Sequence, residues 1–541
     1  MGTDRSDVLI IGGGIAGMAT ALDLLDGGKS VLLLDRDGEG AFGGLARESF
    51  GGMLFVDSPE QRRQGIRDSI DLALSDWRSF AEFGPQDRWP AAWAEAYVSR
   101  CTRDVHHWVR RYGVRFLPLL NWVERGEFRP GNSVPRFHMV WGTGQGLTEA
   151  LIAALRQHPH VRRLTLRFNQ RAERLLTEDG RINGVEGVDE QTGAPFQAHA
   201  AQVVVAAGGI NGDLDRVRHH WHRDWGQPPE TLLNGSHRFA DGRLHDAAAA
   251  VGGVLTHLDK MWNYAAGVHH PRPRKPQHGL SLVPPRSALW LNWRGERIGP
   301  QPLVSGFDTR RLVTAVCAQD RRYSWQIMNR RIALKELAIS GAEFNPSIRD
   351  KNKLGFLRDM LFGNRWLVDE MLAHCVDFVS AATLPELVQK MNALQGDGAV
   401  RLDAVRDAVA RYDAAMARGP SLMNDEQLRR IAALRQYRGD RLRLCKFQPI
   451  GDAKALPLIA VREFIVSRKS LGGIQTDLHS RVLDSAGQPI GGLYAVGEAA
   501  GFGGGGMHGL RALEGAFLGG CIFSGRMAAA AINGNTAFLD T

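Results

Sequence analysis

The segment that most constrains the fold lies at the start of the chain. Residues 8–11 are an apolar run, Val-Leu-Ile-Ile, and this run leads directly into Gly12, Gly14 and Gly17. A helical pattern follows to about residue 25, and a second apolar run, residues 31–34, ends at Asp35. A strand, a glycine turn, a helix and a second strand that ends in an acid form one β-α-β unit. The chain is therefore predicted to open with a Rossmann-type half.

The spacing of the three glycines fits a bound pyrophosphate. The first glycine permits a tight turn, the second lets the backbone approach the ligand, and the third lets the helix pack on the strand. The helix N-terminus then faces the anion. Asp35 is placed to accept hydrogen bonds from a ribose hydroxyl, and the neighbouring Ala16 and Arg36 join the predicted site. A dinucleotide is predicted, and the motif alone leaves NAD and FAD both open.

Length and composition exclude several classes of protein. A chain of 541 residues is too long for a single binding module, and 44% hydrophobic with 23% charged residues is typical of a soluble globular protein. The net charge of +9 is spread without long runs of one sign, so no nucleic-acid tail is predicted. The five cysteines are widely spaced, which favours reduced thiols and a cytoplasmic location. The N-terminus has no signal-peptide pattern and no apolar run of eighteen residues occurs, so a spanning helix is not predicted and peripheral membrane contact stays open.

Changes in composition predict an interrupted first domain. The first part covers residues 1–265, and a proline-rich run near residue 270 then begins a segment with mainly helical patterns, residues 266–445. Strand and glycine patterns return over residues 446–541, ending in a small-residue helix predicted from Leu510. The expected class is α/β, with a Rossmann-like domain that carries an inserted α+β substrate or capping domain.

Glycine-bearing segments recur in a fixed order along the chain. They include Gly43-Gly44-Leu45-Ala46, Gly51-Gly52, Ala207-Gly208, Asp241-Gly242, Gly497-Glu498 and the stretch from Gly506 to Leu513 that contains His508, Arg511 and Ala512. This order resembles the fumarate reductase and 3-ketosteroid Δ1-dehydrogenase group of FAD flavoproteins, in particular the bacterial dehydrogenases described as ketosteroid-dehydrogenase-like. The resemblance runs over nearly the whole chain and implies a glutathione-reductase-type FAD domain.

The resemblance also implies roles for these segments. The double-glycine segment lies along the FAD phosphates and isoalloxazine in that family, the acid at the Glu498 position binds the ribityl chain, and the last motif aims a helix at the flavin pyrimidine ring. The cofactor residues predicted in this way are Gly12, Gly14, Ala16, Gly17, Asp35, Arg36, Gly43, Gly44, Leu45, Ala46, Gly51, Gly52, Ala207, Gly208, Asp241, Gly497, Glu498, Arg511, Ala512 and Leu513. Membrane fumarate reductases hold FAD covalently through a histidine in the double-glycine segment. This chain has no histidine there, so non-covalent FAD is predicted.

The catalytic groups of the family are not intact in this chain. Dehydrogenation beside a carbonyl needs a hydride acceptor, a base and a donor that polarises the carbonyl. Fumarate reductases resemble His-Thr-Met-Gly-Gly where this chain has Arg468-Lys469-Ser470-Leu-Gly-Gly, and the later arginine, Arg511, stands one position early. The candidates for base, carbonyl donor and oxyanion contact are Tyr437, Tyr264, Lys469 and His508.

The predicted function is an FAD-dependent oxidoreductase that desaturates, or in reverse reduces, a carbon-carbon bond conjugated to a carbonyl. A steroid-like or polycyclic ketone is the favoured substrate, and that preference rests on the resemblance. A soluble fumarate-reductase-like enzyme for a small carboxylate is the alternative, and an RNA-binding flavoprotein is the alternative from another class. No metal is predicted at His219, His220 and His222, because no suitable carboxylate or cysteine spacing accompanies them. The predicted partners are a small-molecule substrate and an unidentified electron acceptor, with no nucleic acid; the oligomeric state is left open.

Overall fold

The computed structural model describes residues 5–539. The strands are β1 (Arg5–Ile11), β2 (Val31–Leu34), β3 (Gly52–Leu54), β4 (Phe137–Met139), β5 (Leu164–Arg167), β6 (Gln170–Glu178), β7 (Arg181–Asp189), β8 (Pro195–Val205), β9 (Leu232–Asn234), β10 (Leu255–Thr256), β11 (Met261–His269), β12 (Gly279–Val283), β13 (Leu289–Leu291), β14 (Tyr323–Asn329), β15 (Ala338–Ile339), β16 (Phe378–Ala381), β17 (Leu458–Ser470), β18 (Gly473–Ile474), β19 (Arg481–Leu483) and β20 (Pro489–Ala495).

The α-helices are α1 (Ile15–Asp26), α2 (Gly44–Glu48), α3 (Pro59–Arg63), α4 (Ile70–Ala81), α5 (Arg88–Arg100), α6 (His107–Arg111), α7 (Thr143–Arg156), α8 (Leu214–His219), α9 (Arg243–Ala250), α10 (Thr309–Cys317), α11 (Arg330–Glu336), α12 (Pro346–Arg349), α13 (Lys353–Phe362), α14 (Arg365–His374), α15 (Leu384–Gln395), α16 (Leu402–Ala417), α17 (Glu426–Leu434), α18 (Arg438–Arg443), α19 (Ala516–Asn533) and α20 (Thr536–Leu539). Short 3-10 turns cover Glu39–Ala41, Val161–Arg163, Arg223–Trp225, Ala453–Ala455 and Gly497–Ala499, and a π-helical segment covers Cys101–His106.

The chain forms two compact units, and the first contains the predicted Rossmann half. This unit comprises the chain up to His220, Ser236–Trp262 and the chain from Lys469 onward. Its main sheet has the order β19-β20-β8-β1-β2-β5, and in addition β7 pairs with β8 and β6 pairs with β7. β1 is parallel to both of its neighbours, β2 and β8, and β20 is parallel to β8. Because β1 to β2 and β8 to β20 are parallel, the ends of strands from both termini lie at the same edge of the sheet.

The first and last long helices of this unit pack closely on each other. Thr20 on α1 donates hydrogen bonds through its hydroxyl to the carbonyl oxygens of Ala16 and of Gly525 on α19, at 2.9 and 3.2 Å. A Cβ on Gly525 would lie 2.6 Å from the Ala16 carbonyl oxygen, so only glycine permits this approach. Among residues 5–539, α19 is the one helix long and apolar enough to cross a membrane, and 72% of it is buried inside the protein.

The second unit is built on a mixed sheet. It comprises Trp221–Gly235 and Asn263–Arg468, and its sheet has the order β13-β14-β17-β11-β12-β15, with β16 and β9 also paired to β17. β17 is antiparallel to β14 and β16 and parallel to β9. Helices α10 to α18 belong to the same unit, which gives it an α+β composition.

The predicted α/β class with a Rossmann-like first domain agrees with this architecture, while two local expectations differ from it. The second unit extends to Arg468 and includes Trp221–Gly235, because β17 and β9 pair inside its sheet, whereas the sequence boundary was placed at residue 445. The helix expected from Leu510 begins at Ala516, because Gly515 has a left-handed φ of 100° that a continuous helix cannot contain.

Candidate functional site

The glycine turn after β1 is closely packed at its first and third glycines. Gly12 has φ of 113°, and a Cβ there would fall within 3.0 Å of the Ala206 carbonyl group. A Cβ on Gly17 would fall within 3.0 Å of the Gly12 carbonyl oxygen. The absence of side chains at these two positions therefore lets α1 pack directly against the end of the strand.

The second glycine of the motif is different, because it faces open space. Gly14 precedes α1 with φ of −69° and ψ of −180°, an extended conformation that any residue adopts. No atom lies within 4 Å of the position that its Cβ would occupy. The free N–H groups of a helix N-terminus lie beside this space, and they suit a phosphate group.

The acid at the end of β2 lies against the same turn. Asp35 accepts hydrogen bonds from the backbone N–H of Gly13 at 2.7 Å and of Asp37 at 2.8 Å. Burial raises the pKa of this carboxyl, although both N–H donors favour the charged form. The neighbouring Arg36 forms ion pairs with Glu190 at 2.5 Å and with Asp241 at 2.8 Å. The structure thus joins two predicted cofactor residues, Arg36 and Asp241, in one ion pair.

The double-glycine segment lies beside the glycine turn. Gly43 forms an isolated parallel bridge with Gly14, and a Cβ on Gly44 would lie 3.5 Å from the Gly14 Cα. Gly44, Leu45 and Ala46 belong to the short helix α2. Gly43 has φ of 118°, so the chain turns there in a conformation that glycine tolerates.

The next two glycines of this segment, Gly51 and Gly52, pack against other parts of the first unit. A Cβ on Gly51 would lie 2.7 Å from the carbonyl carbon of Thr143, and Gly52 pairs with Met139 between β3 and β4. A Cβ on Gly52 would fall within 3.0 Å of the Phe137 ring, so both glycines permit close packing within the first unit.

The ends of β8 and β20 bring the distant glycine segments to the same edge of the sheet. Gly497 has φ of 65°, and its Cβ would lie 2.7 Å from the Cβ of Ala16 at the start of α1. Glu498 accepts a hydrogen bond from the Ser470 backbone N–H at 2.9 Å. Ala207 and Gly208 lie two and three residues after the end of β8. Residues that are nearly 500 positions apart in the sequence therefore surround the N-terminus of α1.

His508 lies in an aromatic cluster in the glycine-rich loop before α19. Its ring stacks on Trp77 with centroids 5.4 Å apart, and Phe502 and Phe517 lie 5.0 and 4.9 Å away. The side chain is fully buried, and neither ring nitrogen has a hydrogen-bond partner among the described residues. Burial lowers the pKa of His508 to about 3, and the nearby Lys469 adds to this effect. The imidazole is therefore neutral and holds an unused N–H donor.

Lys469 contacts the same cluster. Its Nζ lies 4.0 Å from the centroid of the Phe517 ring, an arrangement typical of a cation-π contact. The structure therefore brings together two predicted catalytic residues, Lys469 and His508. Sequence reasoning missed Trp77, Phe502 and Phe517, because an aromatic residue in a helix or loop gives no sign of which histidine it will surround.

Arg511 follows His508 closely in the sequence but is engaged elsewhere. Its guanidinium forms an ion pair with Glu82 and lies 5.9 Å from the ring centroid of Phe80. Ala512 and Leu513 are buried. Part of the Arg511 charge is thus already neutralised by the protein.

The two candidate tyrosines belong to the second unit. Tyr264 lies half-buried on β11, and Tyr437 lies half-buried immediately before α18. His138 belongs to the first unit. His138 hydrogen-bonds to the Ser58 hydroxyl and to the Arg136 carbonyl, both at 2.7 Å, as expected of a structural residue. Residues 5–539 contain no group of three His, Cys, Asp or Glu side chains arranged to hold a metal ion.

These features fit a bound dinucleotide. The glycine turn is closed at Gly12 and Gly17 but open at Gly14, and the N-terminus of α1 lies beside Asp35, which ends the second strand. A pyrophosphate and a ribose need this combination of an open helix N-terminus and an acidic strand end. The geometry of the first unit is therefore that of a dinucleotide-binding scaffold.

Comparisons with known proteins identify the cofactor. The profile of the family described as FAD binding domain matches residues 7–518. The chain therefore belongs to this FAD-binding family, and FAD is its cofactor.

Individual relatives agree with this assignment. A KsdD-like steroid dehydrogenase of Mycobacterium tuberculosis is 42% identical over 542 residues, covering 97% of this chain and 95% of the relative. The solved 3-ketosteroid Δ1-dehydrogenase of Sterolibacterium denitrificans, in complex with 1,4-androstadiene-3,17-dione, superposes with a TM-score of 0.72 at 17% identity, covering 98% of this chain and all of that one. A flavocytochrome c3 fumarate reductase has a TM-score of 0.68 at 19% identity, covering 98% of this chain and 78% of that one. The two structures share the fold, as the resemblance predicted.

Proposed function

We propose that the protein is an FAD-dependent dehydrogenase that desaturates a carbon-carbon bond conjugated to the carbonyl of a steroid-like or polycyclic ketone. The observation that carries this proposal is the 42% identity, over nearly the whole of both chains, to a KsdD-like steroid dehydrogenase. When bound, the flavin supplies a hydride acceptor. The remaining requirements, a base and a donor toward the carbonyl oxygen, are met by side chains of this protein.

The aromatic cluster around His508 favours an apolar substrate. Trp77, Phe502 and Phe517 exclude water from the imidazole, so its N–H donor acts in a medium where a hydrogen bond is strong. Because the pKa of His508 is about 3, this donor carries no charge at neutral pH. Lys469 supplies a cation beside the same cluster, which suits an oxygen that becomes negative during proton removal.

The base is assigned to a tyrosine of the second unit. Tyr437 is the first candidate, because it lies half-buried directly before α18, where the second unit carries a phenol hydroxyl. Tyr264 is the candidate donor toward the carbonyl. Both roles carry over from the tyrosines that steroid dehydrogenases of this family use, and the assignments rest on that resemblance.

Reduction of a small dicarboxylate is less well supported. Such a substrate needs cations that are free to pair with two carboxylates. Arg511 is paired with Glu82, and the guanidinium of Arg468 donates to the backbone carbonyl of Gly235. Both arginines are therefore engaged within their own units, and Lys469 stands where fumarate reductases have a histidine.

Product analysis tests the proposal. The purified holoenzyme is incubated with an artificial electron acceptor and a panel of saturated 3-ketosteroids, other polycyclic ketones and succinate, and each product is analysed by mass spectrometry. We expect a ketone product that has lost two hydrogen atoms and no conversion of succinate. Turnover of succinate without turnover of any ketone would instead support the small-carboxylate alternative.

A further inference from the structure

Helix α13 in the second unit presents an apolar face to solvent. Leu354, Leu357 and Leu361 are spaced three and four residues apart, which places them on one side of the helix. Their exposed fractions are 82%, 48% and 62%, and Phe362 at the end of the helix is 70% exposed. A surface helix of a globular protein ordinarily turns such a stripe toward the core. No residue of α13 is buried, so packing within the protein does not explain this pattern.

The backbone around α13 is nevertheless firmly held. The Asn352 side chain accepts a hydrogen bond from the Gly355 N–H at 2.9 Å and caps the start of the helix. At its end, Gly363 has φ of 85° and packs against Leu334 of α11, and the Asn364 N–H donates to the Leu334 carbonyl at 2.9 Å. A ten-residue helix is marginal in isolation, so these two caps fix the apolar face in place.

The apolar face continues into an aromatic residue and a basic pocket. Trp366, at the start of α14, is 42% exposed. Next to Leu361 and Phe362 lies a pocket of about 360 Å³ whose lining contains four cations and no acid. The four cations are Arg330, Arg331, Lys335 and Lys454.

Acidic neighbours neutralise only part of this charge. Arg330 pairs with Asp369 at 2.7 Å and Arg331 with Asp452 at 3.5 Å. Within the described part of the chain, Lys335 and Lys454 form no ion pair through their ammonium groups. The segment from residue 351 to residue 366 adds four basic residues against one acidic residue. The surface is thus apolar at its centre and positively charged around it.

We propose that α13, Phe362, Trp366 and the adjacent basic pocket form a docking surface for an anionic lipid bilayer. Leucine and phenylalanine side chains enter the boundary between headgroups and acyl chains, tryptophan prefers the headgroup level, and lysine and arginine pair with anionic headgroups. The basic residues beside the apolar face match the charge of anionic headgroups, and this charge complementarity favours an anionic bilayer as the occupant. This proposal does not depend on the proposed reaction. It adds that the enzyme binds at a membrane surface.

Vesicle flotation of the purified holoenzyme tests the proposal. The vesicles are pure phosphatidylcholine or an equimolar mixture of phosphatidylcholine and phosphatidylglycerol. We expect the protein to float with the anionic vesicles, weakly or not at all with the neutral ones, and less as the salt concentration rises. Protein that stays at the bottom with both kinds of vesicle at low salt would overturn the proposal.

Two variants separate the contributions of the apolar side chains and of the basic residues to vesicle binding. The triple variant Leu354→Ser, Leu361→Ser, Phe362→Ser should lower the partition coefficient at least tenfold, because three apolar side chains no longer enter the bilayer. The matched control Val283→Ser, Val376→Ser, Leu422→Ser changes three exposed apolar residues elsewhere in the same unit and should float like the wild type. The triple variant and its control should both retain FAD and unfold at the wild-type temperature, since substitutions at exposed positions change stability little.

The second variant removes charge only. Lys335→Gln with Lys454→Gln should lower the partition coefficient about fivefold for each charge removed. Its control, Arg406→Gln with Arg418→Gln, removes the same charge from exposed positions on α16 and beyond it and should leave flotation unchanged. Equal flotation of the triple apolar variant and the wild type would refute the docking surface. A change of oligomeric state in that variant without vesicle binding by the wild type would also refute it, in favour of self-association.

Discussion

Gly14 offers a sharp test of the cofactor site, because it is the one glycine of its motif with open space at its Cβ position. Gly14→Ala introduces no clash within the protein and no forbidden backbone angle, since φ is −69° and no atom lies within 4 Å. Alanine is a poorer residue than glycine before a helix, so we expect the apoprotein to lose no more than about 1 kcal/mol.

The effect on FAD should be larger. The added methyl group occupies space at the N-terminus of α1, where the pyrophosphate is expected to approach. Loss of one charge-assisted hydrogen bond costs about 1.5 to 3 kcal/mol, which corresponds to a Kd about 10 to 150 times higher. The Kd is measured by quenching of flavin fluorescence as apoprotein is titrated, and the unfolding of the apoprotein is followed in parallel.

Two further glycines act as controls for this experiment. Gly40→Ala, in a 3-10 turn where a Cβ also meets nothing within 4 Å, should change neither FAD affinity nor stability. Gly17→Ala forces a methyl group onto the Gly12 carbonyl and should destabilise the apoprotein itself by about 1 to 3 kcal/mol. If Gly14→Ala bound FAD as tightly as the wild type, the assignment of the pyrophosphate to this helix N-terminus would be refuted.

Three further outcomes follow from the site. Tyr437→Phe should lower kcat for the ketone at least about 100-fold at unchanged FAD content, while the control Tyr112→Phe should not; equal rates for both variants would remove Tyr437 as the base. Acid precipitation should leave all flavin in the supernatant, because the double-glycine segment lacks a histidine, and yellow pellets would contradict non-covalent binding. The pKa of His508 is about 3 in the folded protein and about 6.5 in the unfolded chain, so the unfolded state binds the proton first as the pH falls. The free energy of unfolding should therefore be highest above pH 6.5 and decrease as the pH is lowered toward 3. This one group contributes at most about 1.4 kcal/mol per pH unit to the decrease. The variant His508→Phe should flatten this fall, and an unchanged slope would show that His508 is not buried in the neutral form.

The geometry of the glycine turn could be predicted from the sequence, because it depends on the backbone rather than on side chains. Gly12 and Gly17 must lack a Cβ wherever α1 packs on β1, and their spacing records that requirement directly. The convergence of Gly497 with Ala16 was also predictable, because each follows an apolar strand and parallel strands end at one edge.

The other features depend on contacts between residues far apart in sequence. Arg36 pairs with Asp241 and Arg511 pairs with Glu82. The sequence around an arginine does not indicate which distant acid it will pair with. The boundary at Arg468 was missed because β17 has the pattern of any buried strand, and only its pairing with β14 assigns it to the second unit. The aromatic cluster around His508 joins residues more than 400 positions apart, which a single sequence cannot reveal.

The most direct test of the whole account is an anaerobic titration of the holoenzyme with a saturated 3-ketosteroid, followed by the visible absorbance of the flavin. One FAD per chain should be bleached by one equivalent of ketone, with a dehydrogenated steroid formed in equal amount. A colourless protein that takes up no added FAD, or a flavin that every ketone leaves oxidised while succinate bleaches it, would contradict the account.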